Sequence, residues 1–360
     1  MKILWLTNLP APYKVDLFNE LGKKVELTVL FERMGATNRD NTWNKNTFEN
    51  FNGVFLKGIK IDEENSICLS VKKYLADKTF DKIVIGGYGT FTSMYAIKYL
   101  RKKNIPYILS IDGGVIREES VKKYKLKRYL VMGASKYMCP SKKSADYLFH
   151  YGANRNNIYF YPFTSVKESD VYMANEQEKQ QLKKALLIPE QKIILAVGQF
   201  IKRKGFDLLI KASSDLGEDY GVYIIGGKPT EEYVNLRKEY NANNVHFLPF
   251  KNKTQLANYF KMADLFVLPT REDIWGLVIN EAMAYSLGVI TTNNCVAGLE
   301  LVKHGENGYI IPTENVEEIT NSILQAEKVG FSKLGDKSLE LILENGTIEK
   351  EAQVILEILS

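Results

Sequence analysis

Short apolar runs recur along this chain, separated by polar stretches long enough to form helices. In the first half the runs fall at 3–6, 25–31, 82–85, 107–111, 137–139 and 158–161. Helical patterns lie between them at 13–21, 66–75 and 91–102. The second half repeats the scheme, with runs at 193–197, 222–225, 245–248, 265–268, 289–292 and 309–311. Its helices are predicted over 205–213, 231–240, 254–263, 277–286 and 316–328. Near-continuous apolar strands spaced by helix-length segments predict parallel sheets covered on both faces. The polar stretch 165–181 has few core-forming residues and reads as a hinge. A closing helix is expected over 347–360, with Ala352, Ile355, Leu356 and Leu359 on one apolar stripe. The fold class is α/β: two doubly wound domains, 1–165 and 166–345, facing a central cleft, with a final helix over 346–360.

Length agrees, because 360 residues exceed what one hydrophobic core normally supports. The opening residues 1–6 read as a first strand, not as the core of a signal peptide. No stretch approaches the roughly 20 apolar residues of a membrane-spanning helix. Cys68, Cys139 and Cys295 are isolated, and His150, His246 and His304 lack metal-ligand spacing. A reducing cytoplasm is the expected setting. Charge is divided unevenly: residues 1–165 carry 27 Lys+Arg against 15 Asp+Glu, and the remainder 21 against 28. A basic first half joined to an acidic second half implies that only one of them meets an anionic partner.

The chemistry concentrates in 269–284, which follows the apolar run 265–268 and leads into a helix near Gly276 and Leu277. A strand end with a helix N-terminus behind it suits a phosphate. Asp273 and Glu281, eight apart, could accept hydrogen bonds from hydroxyls flanking that phosphate. Phosphate in the middle and hydroxyls at both ends describe a nucleotide sugar. The segment 197–207 likewise leaves a strand, and it presents three consecutive cations, Lys202, Arg203 and Lys204, before Gly205. Read alone this is a solvated basic loop; read with 269–284 it is a phosphate-binding loop. Lys204 is the favoured contact because it precedes a glycine that lets backbone and ligand approach.

Competing chemistries lack their signatures. The position of a G-x-G-x-x-G turn after the first strand is taken by 8–13, which contains Pro10 and Pro12, and no G-x-x-x-x-G-K-[ST] loop occurs. A nicotinamide or P-loop enzyme is therefore not expected. Nor is there a D-x-D pair to hold a divalent ion, so no metal or other cofactor is expected, and diphosphate charge falls to helix N-termini, Lys or Arg.

The second half resembles the retaining GT-B glycosyltransferases of family 4. The likeness rests on 197–212, Ile224 to Gly227, 245–250, 263–270, 273–284 and the G-x-N-G-Y at 305–309, in order over about 150 residues. The first half is similar more loosely, and the closing helix resembles one that crosses back onto the N-terminal domain. The resemblance implies that Glu281 binds ribose hydroxyls and that Asp273, standing where Glu is commoner, contacts the transferred sugar. Asp273 could instead cap the helix at 277. Lys204 would meet the diphosphate with the amides of Gly276, Leu277 and Val278. Arg203 would supply charge where Gln199 replaces a frequent Arg, and Phe250 closes the donor-side set. Ile274 and Trp275 read as packing residues, with Trp275 also able to line the pocket.

In the first half, Asp112 follows a strand end at 110–114, where many family members have a His. It could take a proton from an acceptor hydroxyl, or simply end the strand in a turn. The 8–13 loop takes the place of the family's Gly-rich loop, with prolines that disfavour a close backbone cradle, and 86–89 would line the acceptor side. The basic segment 117–143, with Lys122, Lys123, Lys125, Lys127 and Arg128, is expected to dock on an anionic membrane surface bearing lipid-linked acceptors, although its cations wrap most of the helix. A solvated face is the plainer reading, and no nucleic-acid motif accompanies it. The expectation is a metal-independent hexosyltransferase using a nucleotide sugar, UDP-sugar favoured, on a glycan or lipid-linked acceptor in bacterial surface polysaccharide or glycolipid synthesis. It would work in the cytoplasm or at the inner face of the membrane. A phosphorylase, a nucleotide-sugar epimerase or a non-catalytic nucleotide-sugar-binding partner would use a similar site.

Overall fold

The computed structural model describes residues 1–34, 48–61, 66–173 and 175–360. They form two compact units, Met1–Ser165 with Thr347–Ser360, and Val166–Gly346.

The first unit begins β1 (Lys2–Thr7), α1 (Pro12–Gly22), β2 (Glu26–Phe31), β3 (Asn52–Phe55), β4 (Ile59–Lys60), β5 (Ser66–Ile67) and α2 (Val71–Leu75). It continues through β6 (Lys82–Gly86), α3 (Phe91–Lys102), β7 (Ile108–Ser110), α4 (Val121–Val131), β8 (Lys136–Cys139), α5 (Lys142–His150) and β9 (Ile158–Phe160). Seven strands make a parallel sheet in the order β3-β2-β1-β6-β7-β8-β9, and β4 and β5 pair separately. Ile3, Leu4, Val29, Leu30, Val84, Ile85 and Leu109 are wholly or almost wholly buried, as strands covered on both faces require.

The second unit runs α6 (Glu176–Ala185), β10 (Lys192–Val197), α7 (Phe206–Ser213), β11 (Tyr220–Ile225), α8 (Glu231–Glu239), β12 (Val245–Leu248) and α9 (Lys253–Met262). Then come β13 (Leu265–Leu268), α10 (Leu277–Ala284), β14 (Gly288–Thr292), α11 (Val296–Leu301), β15 (Gly308–Ile311), α12 (Val316–Val329) and α13 (Phe331–Asn345). Its six parallel strands are ordered β12-β11-β10-β13-β14-β15. The chain builds outward from β10 to β12, then returns to the other side at β13. The crevice past the ends of β10 and β13 is thus the point where strand order reverses, the place such sheets hold ligands.

The last helix, α14 (Ile348–Leu359), belongs to the first unit, where it packs on α1. Lys136 Nζ donates to the Ile358 carbonyl at 2.7 Å. Its inward face is Ile348, Glu351, Ala352, Ile355, Ile358 and Leu359; Leu356 is only half-buried, so the stripe is rotated toward Ile358.

The helix expected over 66–75 is instead β5 followed by the short α2. Thr92 explains the difference: its hydroxyl donates to Ser66 O (2.9 Å) and accepts from Cys68 N (3.0 Å), holding that backbone extended. The basic segment 117–143 is not one helix, since α4 stops at Val131 and strand β8 follows. The stretch 165–181 is tied to the second unit already at Asp170, whose Oδ2 accepts from Lys253 Nζ at 2.7 Å. Tyr172 N donates to Ala284 O at 2.8 Å, and Ser286 Oγ donates to Tyr172 O at 2.9 Å.

Candidate functional site

Two loops distant in sequence meet past the ends of β10 and β13. In the first, Lys202–Lys204 form a single 3-10 turn and Gly205, at φ 70°, opens α7. In the second, residues 269–276 lead from β13 to α10. The contact is close enough that a Cβ on Gly205 would sit 1.9 Å from the Pro269 carbonyl oxygen.

Hydrogen bonds join the two loops. Arg271 N and Thr270 Oγ1 both donate to Arg203 O, at 2.8 and 2.9 Å. In return Arg203 Nη1 donates to Glu272 O at 2.7 Å. Arg271 anchors the pair to α7: its Nη1 donates to Lys202 O at 2.6 Å, and its guanidinium makes two 2.7 Å bonds to the Asp207 carboxylate on that helix. Glu314 completes the clamp on Arg271. A bidentate pair of this kind fixes orientation as well as distance. The acids raise the Arg271 pKa, the Asp207 hydrogen bonds most of all and against the opposing pull of desolvation.

Asp273 sits within this frame. Its N–H donates to Asn294 O at 3.0 Å and its carbonyl accepts from Val296 N at 3.2 Å. Its Oδ2 lies 2.6 Å from Lys204 Nζ and its Oδ1 3.4 Å from Arg203 Nη1. Both partners of the closer pair are only 13% exposed. The structure therefore brings Lys204, Arg203 and Asp273 together. It also rules out Asp273 as the helix cap, because the N-cap of α10 is Gly276, at φ 104° and without a side-chain cap bond. A Cβ on Gly276 would meet Cys295 Sγ at 3.0 Å.

The amides of Gly276, Leu277 and Val278 open α10, where N–H groups lack intrahelical acceptors and the dipole is positive. Glu281 lies farther along the same helix and is half-buried. Trp275 is a packing residue: it is buried, and its Nε1 donates to Asn280 Oδ1 at 3.1 Å. Ile274 is not, being 49% exposed. Gln199 is exposed beside the basic turn. Phe250 follows β12, two strands away from β10, and is 59% exposed, so it stands apart from the bonded group.

In the first unit Asp112 is more than a turn residue, since its Oδ2 pairs with Lys14 Nζ on α1 at 2.7 Å. The two line a crevice with Ser110, Tyr161, Glu351 and Trp5. Burial alone would lower the Lys14 pKa, but the Asp112 charge raises it overall. Glu351, 2% exposed, has its pKa raised well above the usual range by burial. Sequence reading missed both Lys14 and Glu351; an acid on the apolar stripe of the closing helix was the available signal.

On α4, Lys122, Lys123, Lys125 and Arg128 are exposed, with Val121, Leu126 and Tyr129 beside them. Lys127 is not part of that surface. It turns inward to Glu119 Oε2 at 2.7 Å and donates to Tyr151 OH at 3.1 Å. Among the described residues no helix is long and apolar enough to cross a membrane.

Residues 177–337 match the model of the family Glycosyl transferases group 1. The second unit is thus similar to a glycosyl transferases group 1 domain over most of its length. The joined loops and α10 all lie inside the matched region. An uncharacterized glycosyltransferase of Haemophilus influenzae is 33% identical over 169 residues, 45% of this chain and 47% of its own length. Another, from Methanocaldococcus jannaschii, is 28% identical over 228 residues, 62% of this chain and 59% of its own. The chain thus spans about half the length of the curated relatives it matches. Among solved structures, Anabaena HepE in complex with UDP superposes with a TM-score of 0.80 at 16% identity, covering 99% of both chains. Sucrose-phosphate synthase of Thermosynechococcus elongatus gives 0.76 at 17%, covering 99% of this chain and 98% of its own. At such identities the likeness carries the fold alone: two Rossmann-like α/β units of the GT-B type.

Proposed function

We propose that the chain is a retaining glycosyltransferase of family 4 that moves a hexosyl group from a nucleotide sugar to a glycan or lipid-linked acceptor. The observation that carries this reading is the joined pair of loops at the strand-order reversal of the second unit. It sets Lys204 and Arg203 beside Asp273 and the N-terminus of α10. In this reading Lys204, Arg203 and the amides of Gly276, Leu277 and Val278 take the diphosphate, and Glu281 takes the ribose hydroxyls. As the glycosidic bond to phosphate breaks, negative charge grows on the diphosphate while positive charge spreads over the sugar ring. These cations and a helix N-terminus stabilise the former, which is the principal catalytic contribution. The diphosphate charge is met by protein groups, without a metal. Retention follows from attack on the face the diphosphate leaves. HepE has been solved with UDP and with UDP-glucose, which supports a UDP-sugar as donor here. The acceptor is assigned to the first unit, near Asp112. The solved glycosyltransferase WaaG, involved in lipopolysaccharide biosynthesis, shares the fold at TM-score 0.70 and supports a role in surface polysaccharide or glycolipid assembly. The exposed cations and apolar side chains of α4 would hold the protein on the inner face of an anionic membrane.

A thermal-shift screen with UDP-, GDP- and ADP-sugars tests the donor assignment. One of them should raise Tm with a concentration dependence set by its Kd. No shift with any of them, up to the highest soluble concentration, would remove the reading.

A further inference from the structure

We infer that Asp273 is a built-in counter-anion that surrenders Lys204 to the donor's diphosphate and thereby becomes able to hold the transferred sugar. This rests on the donor site proposed above and assigns an order of events within it.

The Asp273 carboxylate is bound on both oxygens: Oδ2 to Lys204 Nζ at 2.6 Å and Oδ1 to Arg203 Nη1 at 3.4 Å. Its backbone is held on both sides by Asn294 and Val296, so the carboxylate can move only by side-chain rotation. Arg203 is itself tied to Glu272 O, and its turn is tied to 270 and 271. Lys204 is the mobile member, a flexible stem ending in an ammonium. A diphosphate approaching that ammonium brings a second anion to a site where the first is 13% exposed. Two anions on one poorly solvated cation repel, so the ammonium exchanges one for the other. Oδ2 then loses its donor while Oδ1 keeps Arg203. An acceptor oxygen released at that moment, beside the diphosphate, is placed to receive a hydroxyl of the sugar attached to it.

Because the carboxylate competes with diphosphate, removing its charge strengthens binding of a nucleoside diphosphate that has no sugar. With the sugar present the same change removes a contact, so turnover falls. A residue that merely contacts sugar would leave sugar-free binding unchanged, and a merely structural one would weaken every ligand.

The test is calorimetric titration of UDP, GDP and ADP into wild type and the variants Asp273→Asn, Asp273→Ser, Asp273→Glu and Lys204→Met, with melting curves to show that each is folded. For whichever diphosphate wild type binds, Asp273→Asn should bind roughly tenfold tighter. Asp273→Glu, which restores the charge, should return affinity toward wild type. With the matching nucleotide sugar, Asp273→Asn should lower kcat while KM does not rise. Asp273→Ser reports the same comparison should the Asn variant not fold. Unchanged or weaker diphosphate binding in the folded Asp273 variants, with Lys204→Met having lost it, overturns the exchange and leaves the donor site standing. Wild-type affinity in Lys204→Met, or no binding by wild type, overturns the donor site and the exchange with it.

Discussion

Replacing Gly205 by alanine puts the meeting of the two loops under direct strain. The new Cβ would lie 1.9 Å from Pro269 O, where real Cβ contacts stay beyond 3.0 Å, so the loops must separate by about 1.1 Å. The φ of 70° adds left-handed strain of about 1–2 kcal/mol. Separation also weakens the Arg271 N–H and Thr270 hydroxyl bonds to Arg203 O, at about 1 kcal/mol each. Together these amount to about 3–4 kcal/mol, which for a unit of this size lowers Tm by roughly 6–15 °C. Gly227 provides the control: its φ is 112°, yet nothing lies within 4 Å of a Cβ there. Gly227→Ala should therefore bear only backbone strain, about 1–3 kcal/mol. Differential scanning calorimetry of both variants, followed by nucleotide titration, makes the comparison. Gly205→Ala should be the less stable and should bind nucleotide more weakly, because Lys204 is the adjacent residue. Equal melting temperatures for the two variants would refute the claim that loop contact at Gly205 constrains the site.

Arg271→Leu should cost about 2–3 kcal/mol in urea denaturation by leaving Asp207 and Lys202 O without their donor, and adding Asp207→Asn should cost less than the sum of the single changes. Glu32, buried and accepting from Thr90 Oγ1 at 2.7 Å, has its pKa pushed up to about 7 by burial, with the threonine hydrogen bonds and Arg33 opposing the rise. Since the folded pKa exceeds the unfolded one, the stabilisation is full below about 4.5 and is lost as pH rises through about 7, on the order of 3 kcal/mol in all. Melting curves from about pH 5 to about pH 8 should show this fall in wild type and a smaller one in Glu32→Gln. On α4, reversing Lys122, Lys123, Lys125 and Arg128 to Glu should reduce sedimentation with phosphatidylglycerol-rich vesicles at least about tenfold; wild-type binding equal on neutral and anionic vesicles would dismiss the membrane role.

The alternation of apolar runs was enough to place both parallel sheets, because buried strands such as Leu265–Leu268 are apolar at every position. Edge strand β3 escaped, since Asn52–Phe55 is short, half-exposed and broken by Gly53. So did the split of 66–75, which depends on Thr92 reaching back across 24 residues. At the site, sequence spacing showed which residue types stood beside strand ends and helix starts. It could not show that Asp273 faces Lys204, a pairing across 69 residues set by strand order. Lys127 is hidden for a similar reason: its place among the cations of α4 gives no sign that Glu119 and Tyr151 lie against it. Asp112 and Lys14 likewise meet only when β7 and α1 are assembled.

The donor assignment stands or falls on nucleotide release from a nucleotide sugar by wild type and by Glu281→Ala, measured with donor binding on the same samples. Wild type should bind donor and release nucleoside diphosphate, while Glu281→Ala should bind it at least about tenfold more weakly and turn it over correspondingly slowly. Equal binding by both proteins, with turnover by neither, would contradict it.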